Sequence, residues 1–511
     1  MLAKVFSGAT VGLESVPVEV EVDIQKKGLP AFKIVGLPDK AVEEARERVR
    51  SALINSGATF PNYKITVNLA PANLPKEGPA YDLPIALGIL IASGQIAVAN
   101  YENAVVLGEL SLDGSVRHVK GVLPLVLMAR EHGFRNIFVP EMDAEEAAVV
   151  KGIDIYPVST LVQIFYHYKH IEKIEPRKSL DLEKVIANHP TYECDFAHIR
   201  GQESAKRALK IAAAGNHNVL FKGPPGAGKT LLARSLPSIL PKLTTSEALE
   251  VTKIYSVAGR LPTAEPLITK RPFRSPHHTV SRVGLIGGGT IPAPGEISLA
   301  HRGVLFLDEF PEFPRHVLES LRQPLEDGVV TISRARATST YPAEFLLVAA
   351  QNPCPCGFYG TTEKQCTCSP REIRKYQKKI SGPLLDRIDL HVTVPRVKTE
   401  KLFDPEAADA KSSADVQSHV QEARNRQLAR FKDTKVRANA EIPAKAVEEF
   451  CALQGSVRKY LRGIVSKYSL SARAYHKVLK ISRTIADLEN EEEISKAHVS
   501  EAVTYRMRDN A

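Results

Sequence analysis

The sequence predicts an α/β chain with three folded parts: a mixed α+β N-terminal domain, a core on a parallel sheet, and a helical C-terminal domain. Three observations predict this. Between residues 191 and 395, short continuously apolar runs (NVLFKG, GVLFLDEF, EFLLVAAQNP) alternate with helical stretches, as strands buried on both faces of a parallel sheet do. Before them, period-two strands and amphipathic helices mix within residues 1–165. After residue 396, apolar positions recur at helical spacing with almost no strand signal.

The length of 511 residues suits about three domains. The expected boundaries are 1–165 for the N-terminal domain, 166–190 for a charged linker (Tyr166–Pro190), 191–395 for the core and 396–511 for the helical domain. Within the first, VPVEVEVDI (Val16–Ile24) alternates as a half-buried strand should. Asp39–Gly57 reads as a helix with an Asp N-cap and a Gly stop, and Tyr63–Pro71 as a strand. Leu83–Ala99 is the longest apolar stretch. Pro84 and the Ser93-Gly94-Gln95 break cut it below the roughly 20 residues that span a bilayer. It is expected to be a buried helix ended by Gly94 and followed by a strand. Then come strand AVVLGEL, helix VLPLVLMAREHG and strand NIFVP.

Apolar residues at 43% and charged residues at 25% exclude wholesale disorder. The N-terminal residues lack the apolar core of a signal peptide, so a cytoplasmic protein with no membrane partner is expected. The formal net charge of +10 favours a nucleic-acid partner.

The clearest chemistry is Gly223-Pro224-Pro225-Gly226-Ala227-Gly228-Lys229-Thr230, between strand NVLFKG and helix KTLLARSL. Glycines at these spacings let backbone N–H groups approach phosphates at a helix N-terminus. Lys229 would reach the β- and γ-phosphates of ATP, and Thr230 would ligate Mg²⁺. Strand GVLFL then ends in Asp308 and Glu309. Asp308 can join the Mg²⁺ shell, and Glu309 can polarise the attacking water.

This combination resembles the AAA+ ATPases. The resemblance implies a sensor-one role for Asn352, an arginine-finger role for Arg387 in SGPLLDRIDL, and a sensor-two role for Arg473 in LSARAYHKVLKISR. A finger that completes a neighbour's site implies a homo-oligomer, expected as a hexameric ring. More narrowly, HIRGQESAKRAL, PFRSPHHTVS, PAPGEISLAHRGVLFLDEFPEF and AAQNPCPCG resemble the magnesium-chelatase-like branch, and the whole chain resembles the YifB/ComM family. That implies an ATP-driven motor on single-stranded or branched DNA, of helicase or branch-migration type, as in natural transformation or recombination. The alternative is a chelatase-like or protein-remodelling ATPase that does not act on DNA.

The N-terminal domain resembles the Lon protease domain, with Lys76-Glu-Gly-Pro-Ala80-Tyr81 at the nucleophile segment and Gly114–Pro124 at the base segment. Ala80 falls in the nucleophile's place and Leu123 in the lysine's, so no Ser–Lys peptidase chemistry is expected.

Three basic segments are candidate DNA contacts. Residues 266–295 carry Lys270, Arg271, Arg274 and Arg282 with no acidic residue and read as an exposed Gly/Pro-rich insertion. Arg334 and Arg336 lie where related helicases carry a basic pore hairpin. Residues 455–483 hold eight Lys/Arg and no Asp or Glu. Such surfaces would hold phosphates without reading bases. Finally, Cys354-Pro-Cys356, nine residues, then Cys366-Thr-Cys368 supplies four soft ligands in one loop, a set that suits tetrahedral Zn²⁺.

Overall fold

Two sheets organise the chain, each with its own hydrophobic core. The computed structural model describes residues 2–97, 103–187, 192–262, 265–289, 292–334, 338–361, 364–397 and 412–506. It divides into two units: Met1–Asn188 with Thr245–Thr269, and His189–Thr244 with Lys270–Ala511.

The N-terminal unit is built on a seven-stranded mixed sheet. Strands Leu2–Val11 and Glu14–Gln25 form an antiparallel hairpin, and Lys64–Ala70 pairs antiparallel on its outer side. Ala31–Val35 on one flank, and Ala104–Val106, Asn136–Pro140 and Asp154–Val158 on the other, add in parallel. The alternation of VPVEVEVDI resolves as expected. Val18, Val20, Val22 and Ile24 are buried, while Glu19 and Glu21 reach Lys4 on the other face. Helix Lys40–Asn55 starts at Asp39, whose carboxylate accepts the Val42 N–H at 2.8 Å.

Helix Asp82–Ala92 is buried at every position. Its first residue, Asp82, is a buried carboxylate that burial pushes up to about 6, against the pull of Arg48 at 2.6 and 3.0 Å and the Leu110 N–H at 3.2 Å. Among the described residues, no strand directly follows Gly94, and residues 98–102 lie outside them. Gln95–Ala97 are irregular, the Ile96 N–H turns back to Leu90 O at 3.2 Å, and the next strand starts at Ala104.

Two further expectations need correction. Residues 166–190 do not stand apart as a linker. Helix Leu161–Tyr168 runs into them, the Arg177 N–H bonds Ile155 O at 2.7 Å, and the Leu180 N–H bonds Ala148 O at 2.9 Å. Residues Thr245–Thr269, expected inside the core, group with the N-terminal unit. Helix Thr245–Val257 is tied there by Ser256, whose hydroxyl donates to buried Glu146 at 2.5 Å and whose carbonyl accepts the Gly121 N–H at 3.1 Å. Lys253 pairs with Glu14 at 2.9 Å. Glu146 also accepts the Leu123 N–H at 2.8 Å, so the Leu123 backbone is engaged and its side chain is buried. Ala80 sits in the single turn Pro79–Tyr81.

The second unit carries a five-stranded parallel sheet in the order Phe273–Arg274, Val304–Leu307, Leu346–Gln351, Val219–Lys222, Leu390–Thr393. The three central strands are the continuously apolar runs of the sequence, almost wholly buried, whereas the edge strands Phe273–Arg274 and Leu390–Thr393 are only partly buried. Helix Glu203–Gly215 packs against helices Ser413–Arg430 and Ala472–Leu488. A buried polar network lies among them. Asp487 accepts from Arg430 at 3.0 and 2.5 Å, Arg483 at 3.1 Å and Asn439 at 2.8 Å. Asp389, at the foot of the sheet, meets Lys477 at 2.7 Å and His217 at 3.6 Å. Burial alone would raise its carboxyl, but these two partners hold it far below the usual carboxylate range.

Removing the Asp487 carboxylate leaves Arg483 buried and Arg430 half-buried without their anion. Asp487→Ala is therefore expected to cost about 3–5 kcal/mol. Urea or thermal unfolding of the helical domain checks this, and an unchanged transition would show that the network is not structural.

Candidate active site

The phosphate loop leaves strand Val219–Lys222 and enters helix Lys229–Ser235. Gly226 and Gly228 take φ of +75° and +87°, which residues with a Cβ rarely adopt. Two residues outside the motif hold the loop. Gln202 donates to Ala227 O at 3.1 Å and Pro395 O at 2.5 Å, and Arg396 donates twice to Pro225 O at 3.2 Å. Lys229 is nearly buried. Its ammonium donates to Gly223 O at 2.8 Å, Pro224 O at 2.9 Å and Asn352 Oδ1 at 3.1 Å. Burial lowers its pKa, and the charge of Asp308 opposes that shift.

Asp308 and Glu309 follow strand Val304–Leu307, which pairs with the Asn352-bearing strand Leu346–Gln351. Thr230 Oγ1 donates to Asp308 Oδ2 at 2.8 Å. That spacing fits two adjacent corners of an octahedron with Mg²⁺–O distances of about 2.0–2.1 Å, whose edge is about 2.9 Å. Asp308 Oδ1 accepts the Glu309 N–H at 2.9 Å. Glu309 has φ +50°, a strained conformation for a residue with a Cβ. Its carboxylate lies 3.2 Å from His278 Nδ1, and the His278 ring stands 4.0 Å from that of His277. The pairing of His278 with Glu309 joins residues 31 positions apart, and nothing local signals it.

Arg387 and Arg473 converge on one carboxylate. Both guanidinium groups pair with Glu326, Arg473 at 3.6 Å, and Arg387 also donates to Pro383 O at 2.7 Å. The pairing holds the Glu326 carboxyl below its usual range, Arg387 contributing most. Glu326 is a further residue the sequence reading did not single out.

The basic segments separate into buried and exposed parts. Residues 266–295 are not a free insertion. Phe273–Arg274 is an edge strand of the core sheet, and Arg271 donates to three backbone carbonyls, Pro241 O at 2.5 Å, Arg302 O at 2.7 Å and Lys242 O at 3.2 Å. Arg274 makes a bidentate pair with Glu296 at 2.6 and 2.9 Å, which occupies the fork it would offer a phosphate. In residues 455–483, Lys477 pairs with Asp389, Lys480 donates to Ala440 O at 2.9 Å, and Arg483 belongs to the Asp487 network, so these three are structural. Arg458, Lys459, Arg462, Lys467 and Arg473 are exposed.

Arg334 is exposed at the end of strand Val329–Ser333, which forms a hairpin with Thr338–Pro342. Its guanidinium reaches the second hairpin, Gly287–Gly288 with Ala293–Pro294. A Cβ placed on Gly288 would lie 2.8 Å from Arg334 Nη2 and 3.2 Å from Val283 Cγ1. Tyr341 ties the two hairpins by donating to Pro292 O at 2.6 Å. Arg282 and Val283 are exposed beside them. Arg336 lies outside the described residues.

The four clustered cysteines come together. Cys354 lies 3.4 Å from Cys356 and 3.7 Å from Cys366, Cys356 lies 3.5 Å from Cys366, and all four sulfurs fall within 4.8 Å of one another. The Phe358 N–H, foremost, pulls the Cys356 thiol down to about 5.

Three family models match the chain: Magnesium chelatase, subunit ChlI, over residues 195–402; Subunit ChlI of Mg-chelatase over 20–143; and its C-terminal model over 410–506. The protein YifB of Salmonella typhimurium and the competence protein ComM of Haemophilus influenzae are each 44% identical to this chain, covering 99% of it and 97% of the relative. The magnesium-chelatase 38 kDa subunit of Rhodobacter capsulatus is 23% identical over 61% of this chain and 86% of its own length.

Proposed function

Because the chain belongs to the YifB/ComM family of magnesium-chelatase-like AAA+ ATPases, we propose that it is an oligomeric, ATP-driven motor acting on DNA. The family implies use of nucleotide with Mg²⁺. Thr230 and Asp308 would hold that ion, which would supply charge to polarise the terminal phosphate. Lys229 leaves its loop carbonyls for the phosphates, Glu309 takes the proton of the attacking water, and Asn352 orients that water. Arg387 and Arg473 share Glu326, and this common anchoring supports their acting as a pair on a neighbouring subunit's nucleotide in a ring.

The observation that carries the DNA reading is the short path from the catalytic base to the exposed arginines. His278 contacts Glu309, and four residues later helix Arg282–Ile286 begins, beside the Arg334 hairpin. A strand of phosphates held by Arg282 and Arg334 can thereby reposition Glu309. Arg458, Lys459 and Arg462 add positive surface, whereas Arg274 is assigned to the fold. The word "competence" in the name of the Haemophilus relative supports a place in natural transformation; the proposed substrate is single-stranded or branched DNA, as in transformation or recombination, in the cytoplasm. No helix among the described residues is long and apolar enough to cross a membrane.

The test is DNA binding and DNA-stimulated ATP hydrolysis by Arg334→Ala. Binding is expected to fall about tenfold at low salt, equally across sequences, with stimulation lost and ATP affinity intact. Unchanged binding and stimulation would remove Arg334 from the interface. A native chain that neither binds DNA nor responds to it would leave the chelatase-like, protein-remodelling reading.

A further inference from the structure

The cysteine cluster directly adjoins the phosphate loop. Gly357, in the turn between the two cysteine pairs, has φ +86°, and a Cβ there would lie 2.5 Å from Pro225 Cδ and 2.9 Å from Pro225 Cγ. The backbone of that turn thus rests on the proline ring of the loop. The next residue, Phe358, lies under the Arg396 guanidinium at 5.8 Å, and Arg396 is the donor to Pro225 O. On the other side, Asn352 precedes the cluster by two residues and accepts from Lys229. Two ends of one short turn therefore touch the two parts of the loop that hold phosphate.

Three of the sulfur separations bear on what holds the turn. At 3.4–3.7 Å they are far longer than a disulfide of about 2.05 Å. They match the edges of a tetrahedron with metal–sulfur distances of about 2.3 Å, which are about 3.8 Å. Backbone N–H groups of Cys356 and Tyr359 point at Cys368 and Cys354 sulfur at 3.4 and 3.3 Å, an outer shell that suits metal-bound thiolate. Cys354 is fully buried, which a thiolate tolerates beside a cation.

We propose that Cys354, Cys356, Cys366 and Cys368 hold one structural Zn²⁺, and that the ion braces the phosphate loop by fixing the turn Cys354–Phe358 against Pro225. The brace rests on the reading of residues 223–230 as the nucleotide site; the metal site does not. With the ion in place, Pro225 and Asn352 are held at fixed positions before nucleotide arrives. Without it, the loop must be ordered at the expense of binding energy.

The experiment uses the full-length protein, purified under reducing conditions, with metal analysis and titration of a fluorescent ATP analogue. About one zinc per chain is expected. Stripping it with a chelator should weaken nucleotide binding about tenfold or more, and adding Zn²⁺ back should restore it. Gly357→Ala should keep its zinc yet bind nucleotide similarly weakly, because the new Cβ displaces Pro225. This variant keeps the brace testable if the stripped chain unfolds. Cys194→Ser, a cysteine outside the cluster, should change neither. Absence of zinc from the native protein, or iron in its place, overturns the metal site. Zinc that can be removed with no change in nucleotide affinity overturns the brace, as does a Gly357→Ala variant of native affinity. Failure of the native, zinc-loaded chain to bind nucleotide overturns the nucleotide reading and the brace with it, while the zinc content still judges the metal site.

Discussion

Glu309→Gln is expected to bind ATP with Mg²⁺ normally and to hydrolyse it at least about a hundredfold more slowly than the native chain. The Glu309 carboxylate stands just past the end of strand Val304–Leu307, 3.2 Å from His278 Nδ1, while Asp308 is engaged with Thr230 and with the Glu309 N–H. The amide keeps the size of the side chain and the left-handed backbone at φ +50° but cannot accept a proton from water. A general base contributes about 10²–10⁴ in rate, and the phosphate grip of Lys229 is untouched. Nucleotide titration together with phosphate release separates the two effects. Normal turnover by Glu309→Gln would remove Glu309 from the role of base.

Arg387→Ala is expected to lose hydrolysis by about a thousandfold, the lower end of what an arginine finger supplies. Arg387 and Arg473 meet at Glu326, and the described partners of Arg387 are Glu326 and Pro383 rather than the phosphate loop. On the proposed reading, Arg387 exchanges Glu326 for the nucleotide of a second subunit. Mixing Arg387→Ala with Lys229→Ala should restore part of the activity, because one interface in the hybrid joins an intact loop to an intact finger. Hybrid assemblies that form and stay inactive at every ratio would contradict action in trans.

The legible parts of this chain share one property: their signal is contiguous. The phosphate loop packs its glycines, Lys229 and Thr230 into eight residues because one turn must present them to one phosphate chain. The strands announced themselves by continuous apolar runs, and the Asp39 cap by its place before an amphipathic helix. The cysteines lie in one loop, so their convergence was also readable.

What was misread depended on partners far away in sequence. Arg274 looked available until its fork was found on Glu296, and Lys477 until it was found on Asp389, 88 residues back. With 58 acidic residues in the chain, local pattern cannot say which one neutralises a given arginine. The grouping of Thr245–Thr269 with the N-terminal unit had the same cause. Its tie is the hydrogen bond from Ser256 to Glu146, a pairing no period or motif encodes. The role of Glu326 and the pairing of His278 with Glu309 were not legible because each joins residues of different elements.

On the proposed function, ATP hydrolysis at Glu309 does work on DNA through loops bearing Arg282 and Arg334. Strand displacement or branch migration of a labelled forked DNA, followed with the native chain, Arg334→Ala and Glu309→Gln, tests it most directly. Movement is expected only with the native chain and hydrolysable ATP, with Glu309→Gln bound to the fork but static and Arg334→Ala weakly bound. DNA that stays in place while the native chain binds it and hydrolyses ATP would contradict the motor, as would movement that persists in Glu309→Gln.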